Sequence, residues 1–323
     1  MITARYTMNE FRGVLRLRNE APLQYFNGFY DPDHRADPVL ELPPIEVEPE
    51  NTPDSAAWVI NVEGRPVSVA ERSGGYTVWS AAGRYHAETA ARRLQRDMWL
   101  RARIRRGGVA FLHASAVDDG HHLVVFVGDK RAGKTSLMLD ATLRNGWRLV
   151  SNDCLVLFEG QDGLRACGLP TYLAIRPDVA RRFEPELLAR LTEDEANWRS
   201  YERWRTAPPV DDEGKLYLSH GVIGRPVFST IELSTREVTV VDVSFGGATE
   251  LARQAETEIP AFLAKNLKPM AYLLKELRWR PAGPLPVDED ILARFGASVR
   301  LLRYRHHGQA GDVLSYVATV RRP

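Results

Sequence analysis

Apolar and polar positions divide the chain into stretches of different period. Short runs that alternate or cluster as β-strands do, AAWVINV, PVSVAE and GYTVWSA, lie between Ala56 and Ala81, separated by Gly- and Asn-containing turns. The stretch before them, residues 36–55 (ADPVLELPPIEVEPENTPDS), is rich in Pro and acidic residues and predicts an extended connector. In residues 86–106 the period lengthens. Ala87, Ala91, Leu94 and Met98 recur at helical spacing, and Gly107-Gly108 ends the run. The arginines of this helix predict a solvated face.

From Gly108 the strand pattern returns. VAFLHASAV and LVVFVG predict two strands joined by a tight turn at Asp118-Asp119-Gly120. A helix of about twelve residues follows and ends near Asn145-Gly146. WRLVSND and LVLFEG predict the next two strands. Further strands are predicted at 164–176, 215–219, 226–234 and 237–244, and in LLRYRH. Helices are predicted at 178–191, 193–205, 248–265, 268–277 and 287–295. The strand–loop–helix–strand unit at 122–153 builds a parallel sheet with a ligand at its carboxyl edge. The hairpin-like strands around it predict a mixed sheet. The expected fold is therefore α/β, a mixed sheet flanked by helices over 108–323, preceded by a smaller β-rich region, 1–107, that ends in a helix.

Composition adds exclusions. The chain has 323 residues with 44% hydrophobic and 26% charged, an ordinary globular balance. A formal net charge of +1 gives no bulk attraction to nucleic acid or membrane. The two cysteines, Cys154 and Cys167, are too few for a disulfide or metal framework and predict reduced thiols. No apolar stretch resembles a signal peptide or a membrane span, so a cytoplasmic location is expected. The adjacent pairs His121-His122 and His306-His307 predict turn or surface residues, since neighbours on a strand face opposite ways and chelate poorly. Trp198 and Trp204 predict packing residues on a helix.

The chemistry lies in VVFVGDKRAGKTSLMLD, residues 124–140. Gly128, Gly133, Lys134 and Thr135 spell G-x-x-x-x-G-K-[ST], the loop that cradles nucleotide phosphates. Glycines let backbone N–H groups wrap the negative charge, and the helix that begins near Lys134 adds its N-terminal dipole. The predicted nucleotide site is Gly128, Asp129, Lys130, Arg131, Ala132, Gly133, Lys134, Thr135 and Ser136. Lys134 reaches the β and γ oxygens, and Thr135 offers its hydroxyl to Mg²⁺.

LHASAV, then VGDKRAGKTS, then WRLVSND, in that order and near that spacing, resembles the catalytic core of HPr kinase/phosphorylase and its smaller relatives, some of them kinases beside peptide natural-product pathways. The resemblance covers about residues 108–180. It implies a P-loop kinase core in which His113 and Asp153 polarise an acceptor hydroxyl. Lys134 and Thr135 hold ATP and Mg²⁺, with Asp153 as a second metal contact. Two positions depart from the family. Its paired acids read Asn152-Asp153 here, and its Glu-Arg-Gly-Leu-Gly signature is replaced by GLPTYLAIRP, which offers Arg176 but no Glu.

The resulting expectation is an ATP-dependent kinase that phosphorylates a Ser or Thr hydroxyl of a peptide or protein, for instance a ribosomal natural-product precursor. Catalysis is expected from His113, Asp153 and Lys134. Two alternatives stay open: a kinase for a free amino acid or sugar, and a nucleotide-dependent binding module with little catalysis. The amide at Asn152 favours the last, and the retained Lys134, Thr135, His113 and Asp153 disfavour it.

Overall fold

The computed structural model of the chain describes residues 1–20, 22–33, 40–48, 58–72, 74–160, 162–191, 195–206, 214–224, 230–268 and 289–319. The fold is α/β, with mixed sheets flanked by helices and a set of N-terminal strands. Its described residues form two compact units, one spanning Met1–Arg106 and the other starting at Gly107.

In the first unit, the strands Ile2–Met8 and Phe11–Leu17 pair through a turn at Asn9, which takes a left-handed φ of 61°. The expected connector is partly structural. Ile45–Glu48 is a strand inside the sheet, parallel to both Phe11–Leu17 and Gly75–Trp79. Ile45 and Val47 are buried while Glu46 and Glu48 alternate with them, a period-two signal that the surrounding prolines mask. The remainder of residues 36–55, apart from 40–48, lies outside the described residues. The strands Trp58–Val62, Arg65–Arg72 and Gly75–Trp79 complete this sheet as an antiparallel run. The helix Arg84–Arg106 lays Ala87, Ala90, Ala91, Leu94 and Met98 against it.

The second unit is built on a six-stranded sheet. Its order is Arg148–Ser151, Ala114–Asp118, His122–Val127, Glu237–Phe245, Val299–His306, Glu250–Arg253. The three central members from His122–Val127 to Val299–His306 are parallel, and Ala114–Asp118 and Glu250–Arg253 run against them. The central strands are apolar at nearly every position because both faces are covered. On one face Val124, Phe126, Val241 and Leu302 meet the helix Lys134–Leu143 and the C-terminal helix Gly311–Thr319. On the other, Leu123, Val125, Val240 and Leu301 meet the helices Ile259–Lys265 and Glu289–Ser298. The latter face also carries a four-stranded sheet of Ile231–Glu232, Leu164–Gly168, Leu155–Glu159 and Val109–Leu112.

Several expectations need correction. VAFLHASAV is not one strand: it breaks at His113, and the chain passes there from the four-stranded to the six-stranded sheet. Residues 248–265 are not one helix. Glu250–Arg253 is an edge strand pairing with Leu302–Arg305, and the helix starts only at Ile259. Gly246 and Gly247, both at positive φ, turn the chain back so that Leu251 can pack beside the sheet. Residues 178–191 form two helices, Pro177–Arg182 and Glu184–Leu191, because Pro185 cannot continue the first without clashing with its last turn. The predicted 164–176 strand is two strands, Leu164–Gly168 and Leu173–Ile175. Helix 311–319 was not signalled. Of the predicted 226–234 strand, residues 226–229 lie outside the described residues, and Ile231–Glu232 forms a short strand before a tight turn at Leu233–Thr235; beyond Lys268, the predicted 268–277 helix lies outside them. No described helix is long and apolar enough to cross a membrane.

Candidate functional site

Strand register gathers the singled-out residues. Ala114 pairs with Val127, so His113 stands opposite Gly128 at the carboxyl end of the P-loop strand. The strand Arg148–Ser151 runs antiparallel to Ala114–Asp118, which delivers Asn152 and Asp153 to the same edge. Ser115 and Ser151 lock this corner: Ser115 Oγ donates to the Asn152 carbonyl, and Ser151 Oγ to that of Ala114 at 3.1 Å.

Both motif glycines are sterically required. A Cβ on Gly128 would stand 2.5 Å from the Val243 carbonyl oxygen, and one on Gly133 would stand 2.5 Å from His306 Cε1. Gly133, at φ 94°, caps the helix Lys134–Leu143. Between them Asp129, Lys130 and Arg131 form an exposed charged tip, while Ala132 is buried beneath it. Arg131 adopts a left-handed φ of 73°. Thr135 and Ser136 open the helix, half-buried and buried, and first-turn N–H groups of a helix lack intrahelical partners. Lys134 folds back on the loop, its Nζ donating to the carbonyls of Gly128 at 2.7 Å and Asp129 at 3.2 Å. Burial pulls the Lys134 pKa down, and the charges of Asp153 and Asp129 act against that pull.

Asp153 is the electrostatic centre. His113 Nε2 lies 3.0 Å from its Oδ1, and the Lys268 ammonium is bonded to its Oδ2. Burial alone would raise the carboxyl's pKa; the His113 hydrogen bond and the Lys268 charge overcome it and hold the pKa at about 2. The side chains of His113 and Asp153 remain 42% and 45% exposed, so this pair stays open to an incoming group. Each carboxylate oxygen with one partner keeps further acceptor capacity.

Asn152 does a different job. It is buried, and its Nδ2 donates to the Tyr172 carbonyl at 3.3 Å, while its Oδ1 finds no donor among the described residues. Arg176 faces Asp178 at 3.2 Å at the start of a surface helix.

Three features escape the sequence pattern. Lys268 carries no motif; it arrives because residues 266–268 add to the edge strand Val109–Leu112 through His113 N–H to the Asn266 carbonyl at 3.0 Å and Lys268 N–H to the Phe111 carbonyl at 2.8 Å. Asp242 ends Val-Thr-Val-Val-Asp, a run that could have been read as a metal-binding strand, on the parallel neighbour of the P-loop strand and opposite Val127. Burial raises its pKa, and Arg303 and Lys265 answer its charge. His306 is not a surface residue: it is fully buried behind the loop. The Gly308 N–H donates to its Nδ1 at 2.7 Å, so its Nε2 carries the proton and donates to the Ala132 carbonyl at 3.0 Å.

Among the described residues no three His, Cys, Asp or Glu side chains cluster as a dedicated metal cage. Thr135 and the half-exposed Asp153 carboxylate are hard oxygen donors, the ligand type that Mg²⁺ takes. A cavity of about 780 Å³ between the helices Ile259–Lys265 and Glu289–Ser298 is lined by none of these groups. No protein-family model and no curated protein matches the chain.

Proposed function

We propose that the second unit is a P-loop kinase core and that the chain transfers the γ-phosphoryl group of ATP to a Ser or Thr hydroxyl of a peptide or protein, in the cytoplasm. The observation that carries this reading is the convergence of Lys134, Asp153 and His113 on one sheet edge, with the Asp153 charge acting on the Lys134 ammonium. A phosphate entering the loop gives Lys134 a better partner than two backbone carbonyls. Loop N–H groups and the helix N-terminus receive the remaining oxygens.

The acceptor hydroxyl hydrogen-bonds to the open side of Asp153 and attacks the γ-phosphorus in line. The bond from phosphorus to the β–γ bridging oxygen breaks, and ADP leaves with the electron pair. The hydroxyl proton passes to Asp153. A carboxylate held at about 2 is a weak base, so it orients the hydroxyl first and takes the proton late. The loose transition state of phosphoryl transfer asks for little more. His113 fixes the carboxylate's rotamer, and Lys268 adds a second ammonium beside the transferring group. Thr135 and Asp153 would hold Mg²⁺, which would supply charge neutralisation on the phosphoryl oxygens.

The test is transfer of label from γ-³²P ATP to Ser- and Thr-containing peptides encoded beside the gene, with Lys134→Ala as control. Labelled peptide is expected with the wild type, and a loss of at least a hundredfold with the variant. Label on free serine or a sugar alone would move the acceptor class. Bound ATP with no transfer to any acceptor would leave a binding module. Undiminished turnover in Lys134→Ala would remove the P-loop from the chemistry.

A further inference from the structure

The sheet order gives the nucleotide a direction. His113 and Asp153 flank the P-loop strand on one side, through Ala114–Asp118 and Arg148–Ser151. A γ-phosphate that reacts there leaves the rest of the nucleotide to run toward the other side. On that side Glu237–Phe245 and Val299–His306 end at the same edge, with Phe245 and His306 in register. Ala114–Asp118 and Glu237–Phe245 are two strand steps apart, about 10 Å. A triphosphate and ribose span a distance of that order.

Phe245 stands where they lead. It is 58% exposed, although single exposed rings are ordinary on a protein surface. This one is distinguished by its bracing. Its Cδ2 would lie 3.5 Å from a Cβ on Gly133, so the ring rests on the phosphate loop itself. It meets His306 edge to face, with centroids 5.6 Å apart, and His307 at 6.2 Å. His306 is fixed by two hydrogen bonds and lies nearly flat on Tyr304, at 5.5 Å and 14°. Gly246 and Gly247 follow at positive φ and contribute no side chains. The result is a solvent-facing aromatic ring pre-ordered by a buried stack, which loses little freedom when something packs on it.

We propose that Phe245 is the nucleobase platform, with the purine of the bound nucleotide stacked on the exposed part of its ring and His307 at the rim. This rests on the nucleotide reading above and goes beyond it by assigning the base subsite, which the phosphate motif does not specify.

The experiment compares binding of ATP and of inorganic tripolyphosphate to full-length wild type, Phe245→Ala and Phe245→Trp by calorimetry, with melting curves confirming that each is folded. Tripolyphosphate carries the charges without a base. Phe245→Ala should weaken ATP about tenfold, a usual worth for one base on one ring, and leave tripolyphosphate within twofold. Phe245→Trp should restore ATP binding. Equal loss for both ligands would make Phe245 a brace of the loop, and no loss for either would make it a bystander; both outcomes overturn the platform while the P-loop reading stands. Wild type that binds neither ligand would overturn both.

Discussion

Two aspartates sit at opposite ends of the same strand pair, each with two cationic or hydrogen-bonding neighbours. Asp118 is clamped by Arg148 and, at 2.7 Å, by Arg236, and is 1% exposed. Asp153 is held by His113 and Lys268 and keeps nearly half of its side chain in solvent. Similar partners thus serve different ends. At the amino edge the carboxylate is closed off from solvent and ties Arg148 and Arg236, from two other parts of the chain, to the hairpin. At the carboxyl edge it retains acceptor capacity beside a phosphate loop. Openness, not partner type, is what distinguishes the two acids.

Substitution should split the two. Asp118→Ala takes the buried carboxylate from the mostly buried Arg236 and the solvent-facing Arg148, and should lower unfolding free energy by about 1–3 kcal/mol, read from denaturant melts. Any folded remainder should retain its normal turnover. Asp153→Asn should do the reverse. Transfer should fall about a hundredfold, the usual size of a general-base contribution, while the denaturant midpoint moves less than in Asp118→Ala, because Asp153 is half in solvent. His113→Ala should follow the same pattern. A Mg²⁺ titration then sharpens the comparison: if ATP affinity collapses with the rate in Asp153→Asn, the acid's main work is metal binding.

Asn152→Asp tests whether an acid before Asp153, as in the family the sequence resembles, would matter. Its carboxylate would be buried against the Tyr172 carbonyl, which now accepts a hydrogen bond from the amide. Stability should drop by about 1–2 kcal/mol and transfer should be no faster. A tenfold gain at saturating ATP and acceptor would show that the base belongs at 152.

The smallest effect is on pH. Burial lowers the His306 pKa, so the folded state prefers the neutral ring and stability falls as pH drops below the unfolded value of about 6.5. Asp153 has the opposite sign: its pKa is depressed, so its contribution is present above about 4 and is lost as pH falls through about 2. Between pH 6.5 and 5 the wild type should therefore lose stability relative to His306→Gln. Parallel melting profiles for the two proteins would remove His306 from that loss.

What the sequence revealed follows the range of each signal. The strand–loop–helix at 122–143 is legible because its glycines, Lys134 and Thr135 are close in sequence and flanked by an apolar strand and a helix. His113 and Asp153 are legible only through motif order; the register that unites them is a pairing fact. Lys268 is illegible, since a lone lysine in a loop acquires meaning only when residues 266–268 add to a strand edge. The break at His113 hides inside an unbroken apolar run, because both sheets bury their strands alike. Glu250–Arg253 reads as helix because four residues are too few to show a period of two, and Ile45–Glu48 is masked by the prolines beside it.

The contact between Gly133 and His306 also bears on how the chain is made. Ala132 and its prop are 174 residues apart, and the strand that ends in His306 slots between Glu237–Phe245 and Glu250–Arg253, both made earlier. A chain still on the ribosome can have its whole glycine motif outside the exit tunnel and lack the imidazole that shapes it. Until the strand Val299–His306 emerges, the motif lacks the imidazole that props Ala132. If the chain binds nucleotide as proposed, affinity arises only once Val299–His306 has been made, and a chain truncated after residue 298 should carry the signature without the binding.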